Sequence, residues 1–406
     1  MRELARARDD WVAAGAETAH PEEMALFTLL STKNSEHTWG ISSGVTDTAK
    51  TTGWDNAAFH AARRNASGNP YAAVERAWRQ QRTVGIDAAV ASLEGTPLHA
   101  DITARLARLE AFSPSEGRGP PAPGFEPLRE LNLTQLGGWL DLGISNTTGA
   151  IVHLRAKGAE KSWASEARPL ALLRYQTLVE ADLVAWRAGF LQPWTITPSM
   201  ASDYGRPGMN VSDPNVEHHL AAPTVRSSWI KHGVGAGGSQ ILVEVAFASE
   251  LHEDYGAPST AWLNYTVPEV KGPLTIEVSL TEKTATRLPE AMFLSFNPPA
   301  GSAEPLRWSM QKLDSWLGPE ETLDGGAKGL HAVSDAGLRC TDPAGSQLTV
   351  GSWDAALLKW GEPTPFPNPC LGEVDTSQGA SYVLFDNLYD TNVSALLCRG
   401  WALAGR

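Results

Sequence analysis

No apolar run in this sequence approaches the roughly 18 residues needed to cross a bilayer, so a membrane-spanning helix is not expected. The opening MRELARARDDWV has neither an apolar core nor a small-residue cleavage site, which excludes a secretory signal at this position. Cysteine is scarce. Cys340, Cys370 and Cys398 are an odd number with no CxxC spacing, so a zinc ribbon is excluded and a single disulfide is open. Positive charge is also short, with 33 Lys and Arg against 46 Asp and Glu. The resulting −13 is spread along the chain, which argues against nucleic acid and anionic membrane as partners, since both are polyanions. No internal repeat of fixed period is visible.

What is present is the composition of a folded, water-exposed protein: 42% hydrophobic and 19% charged residues over 406 positions. That length exceeds one ordinary core and points to two or three domains. Asn-x-Ser/Thr sequons recur at Asn65, Asn132, Asn146, Asn210, Asn264 and Asn392, suggesting passage through a secretory route. The missing signal and the sequons are reconciled if the chain is the rear part of something longer.

Residues 1–112 read as helices forming a bundle. RELARARDDWVAAGAE is rich in helix formers. Pro21 suits a first helical position, and Met24, Leu26, Phe27, Leu29 and Leu30 follow as a broad apolar face. GWDNAAFHAARRN is a short amphipathic helix. NPYAAVERAWRQQRTVGIDAAVASL is longer, with one polar break near Gln81 and an end at Gly95 and Pro97. HADITARLARLEAF closes the set. Residues 113–127, SPSEGRGPPAPGFEP, form a Pro/Gly linker that cannot hold a helix or a central strand.

Past the linker, over residues 128–406, the period falls from near four to two. LTIEVSLTE places Ile276, Val278 and Leu280 on one face of a half-buried strand. QILVEVAFAS, AMFLSFNP, SQLTVGSW and ASYVLFDN are further strands, and VEADLVAWRAGFL is an interrupting helix. The expected class is therefore α+β and multidomain, with the helical bundle followed by a large antiparallel β-sandwich region.

Most chemical candidates have a plainer reading. GVGAGG at Gly233 to Gly238 lacks the Lys-Ser/Thr of a phosphate loop and precedes a strand, so it is a turn; DGGAKGLH at Asp324 to His331 reads as a flexible loop. His218 and His219 are adjacent and point to opposite faces, one packed and one exposed. Asp101 in HAD and Asp254 in HED read as caps or turn residues. No nucleophile elbow and no second His at ligand spacing supports a triad or a metalloprotease. Fifteen Trp allow a sugar-stacking platform, against the alternative of core and sheet-edge packing. His37, in KNSEHTWGISSG, is either a ligand after a helix or a structural side chain holding a carbonyl.

The order of SEHTWG, GWDNAAFHAARR, YAAVERAWRQQR, FLSFNPP, LDGGAKGLHAV and FDNLYDTN resembles the region behind the catalytic barrel in α-mannosidase-like proteins. These are the family-38 glycoside hydrolases and an uncharacterised family related to them, and the resemblance runs from Met1 to about Asn392. It implies a middle domain of three helices and mutarotase-like supersandwich domains after it. It also implies a zinc ion whose ligand from the helical domain would be His37, with carbohydrate as the partner and retaining hydrolysis as the chemistry. Thr38 follows His37 where the mannosidases place Asp, so contacts made by that Asp are not implied. The other zinc ligands, the nucleophile and the acid belong to the family's barrel. No His-x-Asp lies among the thirty-six residues before His37, so the isolated chain is expected to be inactive. Two other readings stay open, a stand-alone carbohydrate-binding or scaffold protein and a polysaccharide lyase. A lyase would need partners for Tyr175, Tyr204 or Tyr255 that the sequence does not show.

Overall fold

A computed structural model describes residues 1–33, 56–65, 76, 79–110, 122–131, 138–190, 216–235, 237–299 and 305–387. The chain divides into two compact units, Met1–Pro114 and Ser115–Arg406.

The first unit is helical in every described element. Helix Arg2–Ala13 buries Leu4, Ala7 and Trp11, three- and four-residue steps that put one stripe inward. Pro21 opens the helix Pro21–Lys33, where its missing N–H leaves no bond unmade. That helix is narrower-faced than its sequence suggested. Met24, Phe27 and Ser31 are buried, whereas Leu26 and Leu29 are exposed, because 3.6 residues per turn carry positions 26 and 29 away from the core side. The polar break expected near Gln81 is a π-helical turn at Thr83–Asp87, running into the helix Ala88–Ala91. That helix ends before Gly95 and Pro97 as expected, and Pro97 starts the next one, Pro97–Glu110. Ala89, Leu93 and Ile102 complete the core around Leu4 and Phe27, with Trp11 edge-on to Phe27 at 5.3 Å.

Among the described residues the second unit holds three antiparallel sheets. The five-stranded one runs β1 (Glu126–Pro127), β6 (Thr224–Val234), β7 (Gly238–Ala246), β8 (Thr260–Val267), β9 (Thr275–Thr281). Residues 126–127, the end of the Pro/Gly segment, pair with Ile230 and Trp229 as its edge, a place where Pro127 is tolerated. The glycines of GVGAGG form the tip between β6 and β7, with positive φ at Gly233, Gly235 and Gly237.

The largest sheet runs β13 (Leu330–Ala332), β16 (Leu357–Trp360), β17 (Ala380–Asn387), β10 (Glu290–Phe296), β4 (Leu170–Thr177), β3 (Ile151–Ala156), β2 (Leu140–Ile144), with β5 (His219–Ala221) also pairing with β4. Every residue of β10 is buried, so both its faces are covered and its sequence EAMFLSF need not alternate. A four-stranded sheet follows the order β12 (Ser315–Leu317), β11 (Arg307–Lys312), β14 (Leu338–Thr341), β15 (Gln347–Val350).

Cross-strand partners share a face, which sorts the large sheet's side chains. Tyr175, Met292 and Phe385 lie on one face with Leu173, Leu294 and Tyr382. This face meets the other two sheets: the Tyr175 ring is 5.8 Å from Phe247, the Tyr382 hydroxyl donates to Val350 O, and Trp360 is edge-on to Trp308. The five-stranded sheet is tied in by the Tyr265 hydroxyl, which donates to Gly149 O at 2.7 Å. On the opposite face lie Arg174, Phe293 and Val383, and beside them Ser295, Ser381 and Lys359. Mixed helix and strand with large antiparallel sheets is the architecture, and the helices Glu180–Phe190 and Ser249–Glu253 interrupt the strands of the second unit.

Candidate functional site

Three groupings bring chemically useful side chains together, and long-range pairing builds each of them. The first joins residues that the sequence left without partners. The Tyr175 hydroxyl on β4 donates to Glu290 Oε2 at 2.6 Å and lies 3.0 Å from Tyr255 O. Lys283 Nζ donates to Glu290 Oε1 at 2.7 Å. Tyr255 accepts the Glu217 N–H at its hydroxyl, and the His219 ring meets its edge at 5.1 Å. Burial pushes the Glu290 carboxyl above the usual carboxylate range, against the pull of Lys283. Burial likewise raises the Tyr175 phenol, reinforced by the charge of Glu290, so it stays protonated and donates. A lyase base needs a phenolate within reach, so this tyrosine is a strut between two sheets and not a proton acceptor.

The second grouping is the segment Asp324 to His331, and it corrects the expectation of a flexible loop. Lys328 is 6% exposed, with Nζ donating to Asp324 Oδ1 at 2.6 Å and to Gly372 O at 2.7 Å. Its own carbonyl lies 2.8 Å from His331 Nε2. His331 is buried, and that burial drops its pKa to about 4. On the neighbouring strand Lys359 Nζ donates to Asn368 O at 2.8 Å, and burial lowers it to about 8. A Cβ on Gly329 would overlap the Asn368 carbonyl and the Lys359 amine, so only glycine fits there. Lys328, His331 and the facing Lys359 each find a hydrogen-bond partner in this corner. Lysines buried in this way act as fasteners.

The third grouping is aromatic. Trp262, Trp308 and Trp360 are buried, Trp139, Trp163, Trp229 and Trp316 are half-buried, and Trp353 is exposed. Trp163 lies under Lys161 at 4.3 Å and Trp316 under Arg339 at 4.2 Å. Among the described residues the large exposed indole is Trp353 alone, so no row of bare coplanar Trp is formed.

The remaining sequence candidates fall as follows. His37 lies outside the described residues, as do Trp194 and Tyr204. His218 is exposed against Asp182 at 2.9 Å, while His219 is packed on Tyr255. His252 holds Ala257 O at 2.6 Å. Asp101 is not a cap: the helix begins at Pro97, and Asp101 accepts Trp11 Nε1 at 2.8 Å and Arg105 Nε at 2.9 Å. Of the described sequons, Asn65 and Asn146 are exposed, but Asn264 is buried in β8 and bonded to Glu277, which removes it as a glycan acceptor in the folded chain. Cys340 is a free buried thiol and Cys370 is disulfide-bonded.

Among the described residues no group of three His, Cys, Asp or Glu side chains could hold a metal ion. No described helix is long and apolar enough to cross a membrane. Glu290, Lys283, Lys328, Lys359 and Arg339 carry no local sequence signal; Glu290 meets Tyr175 across 115 positions and Lys328 meets Gly372 across 44. Compared with known proteins, the chain matches the family described as Domain of unknown function (DUF5054) over residues 1–275. No curated relative and no solved structure matches it.

Proposed function

We propose a carbohydrate-processing role for this chain, which belongs to the DUF5054 family: it is the non-barrel portion of an α-mannosidase-like, zinc-dependent retaining glycoside hydrolase. The observation that carries the reading is the placement of the segments that resemble that family. FLSFNPP supplies the wholly buried central strand β10, and LDGGAKGLHAV supplies the fastened corner of Lys328 and His331. Such positions specify a fold before they specify a reaction. Helices preceding large antiparallel sheets support the reading at the level of fold class.

In this reading the described residues are the scaffold. Zinc, where the family uses it, holds sugar hydroxyls near the transition state. The described side chains offer no ligand set for it, so no step is assigned to the ion and His37 is its one proposed donor here. The Tyr175 phenol stays protonated, so that residue gives the lyase alternative no base. A stand-alone carbohydrate-binding protein is the second reading, favoured by the cationic sheet face described below.

The test is α-mannoside hydrolysis by the protein purified from its natural source, with and without a chelator, beside the isolated 406-residue chain. Chelator-sensitive turnover in the former and none in the latter is expected. Turnover by the isolated chain would overturn the scaffold assignment, and a natural protein with no glycosidase activity would overturn the enzyme reading.

A further inference from the structure

The four-stranded sheet has one face against Trp360, through Trp308, Met310, Leu338 and Cys340. Its other face is composed differently. Register places Ser309, Arg339 and Thr349 in one row and Arg307, Thr341 and Gln347 in the next. Gln311 sits opposite Trp316 on the same side. The strands β11, β12, β14 and β15 contain no Asp or Glu at all, in a chain of net charge −13. The nearest carboxylates in sequence lie in turns: Asp314 at the β11–β12 tip, and Asp342 buried against Lys161 at 3.2 Å.

Arg339 is the unusual member. Its guanidinium carbon lies 4.2 Å from the centroid of Trp316, a cation–π contact. Its Nε is buried with no hydrogen-bond partner, and no ion pair reaches it from the described residues. The buried Nε is out of a ligand's reach, but the two Nη groups are not among the buried unpartnered atoms and are the part of this guanidinium that an anion can meet. Arg307 is exposed on the same face, one diagonal step away, about 7–8 Å between α-carbons in such a ladder.

We propose that this face binds an acidic glycan, a polysaccharide bearing uronic acid carboxylates, with Arg339 and Arg307 taking the carboxylates and the short Ser, Thr and Gln side chains taking sugar hydroxyls. The assignment rests on the carbohydrate reading above and adds the charge class of the sugar. Two cations among neutral hydrogen-bonding groups suit a polymer with spaced carboxylates. Nucleic acid is matched by the six to ten phosphate contacts of a continuous basic track, which this face lacks.

The test is affinity electrophoresis of the 406-residue chain through gels carrying polygalacturonate, neutral mannan or duplex DNA. Retardation by polygalacturonate that weakens with added salt is expected. Arg339→Gln and Arg307→Gln should each weaken it at least about tenfold, as befits loss of a charged hydrogen bond. Arg226→Gln, at an exposed position on β6, should leave it unchanged. Arg307 is exposed, so its variant keeps the test valid if Arg339→Gln fails to fold. Retardation by DNA as strong as by polygalacturonate, or retention untouched by both arginine variants, overturns the proposal. Mannan binding without polygalacturonate binding also overturns it while leaving the carbohydrate reading intact, which the hydrolysis assay decides separately.

Discussion

Removing the charge on Lys283 gives the sharpest check on the buried cluster. Lys283→Met keeps the aliphatic stem near Phe385 but deletes the ammonium 2.7 Å from Glu290. Glu290 is 3% exposed, so the variant leaves a buried carboxylate with Tyr175 as its remaining hydrogen-bond donor. Breaking a buried pair on one side typically destabilises by about 3–5 kcal/mol; Lys283 keeps a quarter of its side chain in water, which brings the expectation to about 2–3 kcal/mol at pH 8. The sign with pH follows from the direction of the shift. Burial raises the Glu290 pKa, so the folded state holds a proton that the unfolded state has lost. This group's contribution is fully favourable below the unfolded carboxylate range and is lost as pH rises through the higher folded value. Removing Lys283 raises that value further, so the variant's deficit should shrink between pH 8 and pH 5. Glu290→Gln in the Lys283→Met background should recover part of the loss at pH 8. Urea unfolding of the sheet unit, followed by near-ultraviolet circular dichroism at both pH values, measures all three proteins. A Lys283→Met deficit equal at pH 5 and pH 8, with no recovery in the double variant, would refute the charge argument.

Three further outcomes are expected. Gly329→Ala should destabilise the second unit by several kcal/mol, on the order of the largest single-residue effects, because its Cβ has no room beside Asn368 O and Lys359 Nζ; unchanged thermal unfolding would contradict the sealed corner. His331 should titrate with a midpoint of about 4 in the folded chain by NMR, and the stability it contributes should be complete above the unfolded value of 6.5 and fall as pH drops towards 4; a midpoint near 6.5 would show an exposed ring. Leu4→Ala should cost the helical unit about 2–5 kcal/mol and leave the second unit's transition in place, checked by hydrogen exchange resolved along the chain.

Much of this architecture is legible one segment at a time. The step from four-residue to two-residue periodicity across residues 113–127 separates helices from strands, since burial of one stripe or one face imposes those periods directly. Pro21, the turn glycines 233–237 and the polar break before Thr83 act through local backbone sterics, and each marks a structural boundary. The limits of local reading appear where a third element intervenes. Leu26 and Leu29 look like core but face water, while Asn264 looks like a glycan acceptor and is sealed inside a sheet. The glycine-rich 324–331 segment resembles a loose loop, yet it is bonded to the carbonyls of Gly372, Pro369 and Pro367 from some forty residues away. Tyr175 meets Glu290 across 115 positions, and Arg339 meets an indole on a strand two ladders over. Sequence alone therefore determined which elements form, because periodicity and turn chemistry act within a few residues. Only the tertiary structure decided which charges are buried, which are paired and which stand open to a ligand, because those depend on strands that register brings together from distant parts of the chain.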